Sequence, residues 1–201
     1  MQPSTPPAMI LEGIITTQDA DGSMHVAPIG PHVDRELASW SLKPFQTSTT
    51  FANLYRHNHG VFHVVDDGLL LVRSVLGICN TTEGRPQAEL HAELGWILKD
   101  ACRAYPLHVI QWDTTQDRAV ATCLAKDCFE IRPFWGWNRA NHSLLELAVL
   151  WSRRHLITKE VLLAEFERNR SIVQKTAGDR ELSALDLLEI HLREHMQSID
   201  Q

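Results

Sequence analysis

The chain has 201 residues, 44% of them hydrophobic and 22% charged, which suits one large globular domain or two small ones. Its formal net charge of -6 and pI near 6.0 argue against broad binding to nucleic acid or anionic membranes, while leaving room for a local basic pocket. No apolar run approaches the roughly 20 residues that span a bilayer.

Residues 1–8 contain three prolines and no basic residue; they are expected to be a disordered lead-in, not a secretory signal. The next residues, Ile10 to Thr17, are β-rich. The pair Asp21-Gly22 signals a hairpin turn, and Met24 to Gly30 reads as the return strand, ending or bulging at Pro28 because proline cannot donate to a ladder. Residues Glu36–Leu42 form a third expected strand.

The segment Lys43-Pro44-Phe45-Gln46-Thr47-Ser48-Thr49-Thr50-Phe51-Ala52-Asn53-Leu54 places a cation, a proline and several hydroxyls where an amphipathic helix begins, at about Thr49. A helix start leaves amide N–H groups without partners and carries partial positive charge. Hydroxyls and a lysine added there make an anion site, most simply for phosphate. The plain alternative is that Thr47 or Ser48 only caps the helix.

The helix is expected to run to His57, and Gly60–Val65 is a fourth strand stopped by Asp66-Asp67-Gly68. Leu69–Val72 looks extended, and Asn80–Pro86 is a loop. Tyr105–Trp112 and Arg118–Ile131 form closing strands. Several short antiparallel strands separated by turn signals indicate a small barrel or sandwich.

From Asn138 the period becomes helical. Leu144, Leu147, Ala148, Trp151 and His155 share one face. Thr158 caps a second helix whose stripe is Leu162, Phe166 and Val173, broken by Asn169. Gly178 stops it, Asp179 caps a third, and Leu182, Leu185, Leu188, Leu192 and Met196 form the last stripe.

The four cysteines, Cys79, Cys102, Cys123 and Cys128, form no Cys-x-x-Cys pair. Reduced, mostly buried thiols of a cytoplasmic protein are expected rather than a zinc or iron–sulfur site. Eleven histidines are many for this length, and His191 and His195 lie four apart on a helix. Among the charged residues around them, a solvated face is expected over a metal-ligand pair, so no metal site is assigned.

Four blocks resemble a known family. They are Ile10–Gly30, Pro44–Leu54, Arg132-Pro133-Phe134-Trp135-Gly136-Trp137-Asn138-Arg139-Ala140 and Ile172–Gly178. In order and spacing they resemble the FMN-binding split-barrel, flavin reductase-like proteins, and within them the family catalogued as domain of unknown function 447. The resemblance implies a mainly β fold, a six-stranded antiparallel split β-barrel (Greek key) over residues 9–137, with a small three-helix appendage over 138–201. It also implies a homodimer holding FMN between subunits.

Carried over residue by residue, the resemblance sets Ala27, Pro28, Ile29 and Gly30 beside the isoalloxazine ring, and Thr47, Ser48 and Thr50 on the phosphate. Ser48-Thr49 stands where related reductases often have a basic residue and Asp, so Lys43, or a base from a second subunit, would supply the charge. Asn53 matches a family asparagine and is expected to tie the helix to the barrel. Arg139 reaches the phosphate or pairs with an acid such as Glu146. Trp135 and Trp137 wall the flavin or pack between barrel and helices, the second being favoured. No one of His25, His32, His57 and His59 stands out as a proton donor.

The implied function is an FMN-dependent oxidoreductase with a small-molecule substrate or electron donor such as NAD(P)H, a deazaflavin or a pterin. No Gly-x-Gly-x-x-Gly segment supplies a separate dinucleotide domain. The alternative is a non-catalytic FMN carrier or sensor module, because split barrels host both sorts.

Overall fold

The computed structural model describes residues 9–199; the expected lead-in at 1–8 lies outside the described residues. The chain divides into two compact units. One comprises the described residues up to Val65 together with Arg85–Pro133. The other comprises Asp66–Gly84 together with the described residues from Phe134 onward.

The first unit is built on an antiparallel sheet of nine strands. In chain order these are β1 (Met9–Ile10), β2 (Gly13–Gln18), β3 (Met24–Ile29), β4 (His32–Val33), β5 (Trp40–Leu42), β6 (His59–Val64), β9 (Arg103–Asp113), β10 (Val120–Ala125) and β11 (Phe129–Glu130). A separate hairpin supplies β7 (Ala88–His91) and β8 (Gly95–Leu98). The pairing runs β1-β4-β5-β10-β9-β6-β2-β3, with β11 against β9.

This path is open, but it curls. β1 stands at one end and β2 next to the other, yet only Leu11 and Glu12 separate them in the chain. Three extended residue steps reach roughly 11 Å at most, so the sheet must bend into a half-barrel. The Leu11 amide donates to the Pro31 carbonyl at 3.0 Å across this closure. Inside the curve Trp40 packs on Phe62 and Tyr105, with ring centroids 5.4 and 5.0 Å apart. Ile15, Leu42, Leu54 and Leu107 complete a core closed to solvent.

Nine strands replace the six expected because the extended stretches are interrupted. Leu11-Glu12 splits the first, Gly30-Pro31 separates β3 from β4, and Lys126-Asp127-Cys128 separates β10 from β11. The third strand shortens to Trp40–Leu42 because Leu37 adopts a left-handed φ of 56° and its carbonyl accepts the Trp40 indole N–H at 2.8 Å. Pro28 does not end β3, which continues to Ile29 with Pro28 opposite Ile14. β3 is the edge of the sheet, where a missing N–H facing outward costs no ladder bond.

Helix α1 (Thr49–His57) also belongs to the sheet unit. The helical unit holds the three α-helices expected over 138–201, α3 (Arg139–Ser152), α4 (Lys159–Thr176) and α5 (Asp179–Ile199), and adds α2 (Gly68–Val75) from earlier in the chain. The expectation of an extended Leu69–Val72 fails because Asp67 caps a helix there. Its Oδ1 accepts from the Leu69 and Leu70 amides, while its Oδ2 takes the Arg180 guanidinium from α5. An aspartate at this position outweighs the strand preference of one short apolar run. Leu144, Leu147, Phe166, Leu185 and Leu188 then fill the helical core.

His191 and His195 are half-buried, and both rings meet Trp151 edge-on at 6.2 and 5.7 Å. All four cysteines are free, with Cys79, Cys102 and Cys123 buried and Cys128 exposed. Among the described residues no helix is long and apolar enough to cross a membrane.

Candidate anion and cofactor site

The loop before α1 is clamped to the turn between β9 and β10. The Gln46 amide donates to the Asp117 carbonyl at 2.9 Å, its side chain donates to the Thr114 and Gln116 carbonyls, and the Ala119 amide donates to the Pro44 carbonyl. Arg118 lies over the Phe45 ring, 4.2 Å from its centroid, and the two residues form a β-bridge. Sequence reasoning missed this arginine at the loop, because a pairing 73 residues distant leaves no local signal.

Ser48 is the N-cap of α1. Its Oγ accepts from the Phe51 amide at 3.1 Å and donates to the Phe45 carbonyl at 2.7 Å. In this structure the hydroxyl donates to the Phe45 carbonyl, and Ser48 shapes the turn. The amides of Thr49 and Thr50 find no acceptor among the described residues. No acidic residue occupies the first helical turn. Two open N–H groups, the exposed Thr47 and the exposed Lys43 therefore present donors without a competing carboxylate.

Thr50 is 7% exposed, and its Oγ1 lies 3.4 Å from His25 Nε2 on β3. The same strand continues into Ala27, Pro28 and Ile29, so tertiary structure brings the proposed ring-side segment to the helix start. Pro28 is exposed, while Ala27 and Ile29 pack partly on the barrel core. Gly30 is closely approached by side chains: a Cβ there would lie 2.7 Å from Ile10 Cγ2 and 2.9 Å from the Glu12 carboxylate, which would have to move aside.

Asn53 anchors α1. Its Nδ2 donates to Thr17 Oγ1 at 3.1 Å and Asp19 Oδ1 at 2.7 Å, and its Oδ1 accepts from Arg56. With donors and acceptor spent and 2% exposure, this amide holds the helix on β2 and offers nothing to a ligand. Arg139 opens α3 in the helical unit, exposed and without an ion pair among the described residues. Trp135 and Trp137 are 89% and 93% exposed. Trp137 touches only the edges of Phe134 and His142 among aromatic neighbours.

His63 is a further buried polar group that the sequence did not mark. It is fully buried, and its Nε2 accepts from the Leu98 amide of β8 at 3.1 Å. Burial pushes its pKa down to about 3. A neutral ring that accepts at Nε2 carries its proton on Nδ1. Its role is to fasten the β7–β8 hairpin over the sheet, together with Thr16, whose hydroxyl donates to the Trp96 carbonyl.

The half-barrel is a fold shared with flavin reductases and FMN-binding proteins. An FMN-bound protein from Methanosarcina mazei superposes with a TM-score of 0.75 at 24% identity, over 90% of this chain and 94% of that one. The flavin reductase HpaC complexed with NADP+ gives 0.54 at 12% identity, over 67% and 84%. An FMN-binding protein from Thermus thermophilus with bound 1-cyclohex-2-enone gives 0.51 at 14%, over 65% and 78%. The chain belongs to the DUF447 family: the model described as the N-terminal domain of a protein of unknown function (DUF447) matches residues 11–128, and its companion model (DUF447) matches 138–190. No curated protein matches the chain.

Proposed function

We propose that the protein is an FMN-binding flavoprotein acting as an oxidoreductase, with FMN held non-covalently at the interface of a homodimer. One observation carries the reading: the start of α1 offers the unpartnered amides of Thr49 and Thr50, the hydroxyls of Thr47 and Thr50, and no carboxylate in its first turn. That donor set fits a phosphate dianion. FMN binding by a structurally similar protein that also matches DUF447 supports the same ligand.

Thr47, Thr50 and the two amides hold the phosphate, and Lys43 lends long-range charge. The outer edge of β3 at Ala27–Gly30 faces the ring, where its unpaired backbone groups meet the flavin's polar rim. Bound FMN supplies hydride and electron transfer, and the protein supplies position and electrostatic tuning. A nicotinamide is the proposed electron donor, in keeping with the NADP+ complex of HpaC; it stacks transiently on the open ring face.

Exposed apolar surface on the sheet unit supports a second subunit. Ile110 on β9 and Leu124 on β10 are 55% and 51% exposed. Tyr55 stands out from α1 against Phe51 and Trp112. Such grouping of large apolar side chains is a feature of association surfaces.

FMN titration followed by flavin absorbance and fluorescence tests the reading. The protein is expected to saturate with FMN, and the Thr47→Ala/Thr50→Ala double variant to lose at least about tenfold in FMN affinity while riboflavin affinity changes little. A protein that stays colourless after dialysis from excess FMN overturns the assignment. Equal weakening of FMN and riboflavin overturns the phosphate contacts alone.

A further inference from the structure

Among the described residues the hydroxyl-rich turn has no cation in direct contact. Lys43 is exposed on the preceding loop, and the Arg118 guanidinium covers Phe45. The titratable side chain that reaches the hydroxyls is His25, whose Nε2 is 3.4 Å from Thr50 Oγ1. β3 delivers it from beneath: His25 stands opposite Thr17 in the β2–β3 register, and Thr17 accepts from Asn53 of α1.

Resting on the FMN reading above, we infer that His25 is the cation of the phosphate subsite, neutral in the free protein and protonated when the phosphate dianion binds. FMN binding then takes up a proton from solvent onto the imidazole, and no other bond is made or broken. Selectivity for FMN over riboflavin becomes pH-dependent for the same reason.

The surroundings support this exchange. Burial holds the His25 pKa below its ordinary 6.5, with the Asp19 carboxylate opposing that shift. The ring is therefore mostly neutral at pH 7 before ligand arrives. Asp19 faces it from the β2–β3 turn, where it is held by Asn53 Nδ2 and the Ser23 hydroxyl. From α1, Arg56 is engaged with the Asn53 carbonyl oxygen. None of these groups neutralises an incoming dianion at Thr50. A doubly negative phosphate within hydrogen-bond reach favours the imidazolium strongly, and a charged donor beside a hydroxyl and two amides completes its ligation.

Calorimetric titration at pH 7 in buffers of different ionisation enthalpy decides the matter. Wild type is expected to take up a proton on binding FMN, approaching one per site, and none on binding riboflavin. The His25→Gln variant should lose the uptake and bind FMN about tenfold more weakly, with riboflavin affinity within about twofold. FMN's own phosphate titrates near pH 6 and releases protons on binding as a dianion, so it cannot mimic the signal.

Uptake unchanged in His25→Gln, or absent in wild type that binds FMN tightly, overturns the inference and leaves the FMN reading intact. Failure of both flavins to bind overturns the two together. Should His25→Gln not fold, the His25 imidazole resonance of wild type, followed by NMR across pH, must move to a higher pKa when FMN is added; an unmoved titration overturns the inference.

Discussion

The two units bury different kinds of side chain. The sheet unit encloses Thr16, Thr17, Thr50, Asn53 and His63, whereas the buried polar residues of the helical unit are Ser74 and Ser143. The helical core is leucine, alanine, valine and large aromatics on regular stripes. Burying a polar group costs free energy unless a partner is supplied. In the sheet unit Thr16 bonds to the β7–β8 hairpin, Thr17 and Asn53 join β2 to α1, His63 accepts at Nε2 while its Nδ1 has no partner, and Thr50 has only a long contact to a half-buried histidine. Among the described residues His59 Nε2, His63 Nδ1 and Trp96 Nε1 are buried in this unit without partners, and the weakly bonded Thr50 stands at the helix start, where a ligand can complete its bonding. Apolar burial holds the helical unit together, whereas the sheet unit carries loosely bonded polar groups, one of them beside the open amides of α1.

The largest expected effect lies in the apolar unit. Leu188→Ala removes a fully buried side chain from the helical core and should lower unfolding free energy by about 2–5 kcal/mol, read by denaturant titration. A loss below about 1 kcal/mol would mean the helices repack freely and the contrast between the units is overstated. Asn53→Ala probes the polar unit. It strips partners from Thr17, Asp19 and Arg56 and should cost about 1–3 kcal/mol, with FMN affinity falling as α1 loosens; unchanged stability would show that α1 does not depend on this network.

The smallest effect is a slope. The folded-state pKa of His63, about 3, lies below its ordinary 6.5, so the neutral ring is favoured by folding. Its contribution is present in full above pH 6.5 and is lost as pH falls from there toward 3. The unfolded chain binds one more proton in that window, giving a decline of about 1.4 kcal/mol per pH unit from this group. His63→Gln should flatten the pH dependence of stability by that amount between pH 6 and 4; an identical slope in the variant would place the proton uptake elsewhere.

Much of the architecture was legible because local chemistry agrees with it. The four hydroxyls of Thr47, Ser48, Thr49 and Thr50 and a following amphipathic pattern put the start of α1 at about Thr49, where it is found. Asp21-Gly22 turns the first hairpin, with Gly22 at a φ of 88° that glycine adopts without strain. Thr158 caps α4 through the Val161 amide. Leu69–Val72 misled because four apolar residues carry no decisive period, and Asp67 had been read as a stop instead of a cap. The β7–β8 hairpin gives little signal in the sequence because Ala88-Glu89-Leu90-His91 is only four residues long and begins with alanine and glutamate, which are depleted in strands.

The chain's own order of residues determined which segments turn, which form helices, and that hydroxyls and open amides gather at the first helix. Those features depend on interactions within a few residues. Only tertiary structure decided that Ser48 spends its proton on Phe45, that Asn53 is consumed by Thr17, Asp19 and Arg56, and that Arg118 and His25 arrive beside the loop. Strand pairing joins residues tens of positions apart, and a hydrogen bond depends on distance and angle that no spacing along the chain encodes.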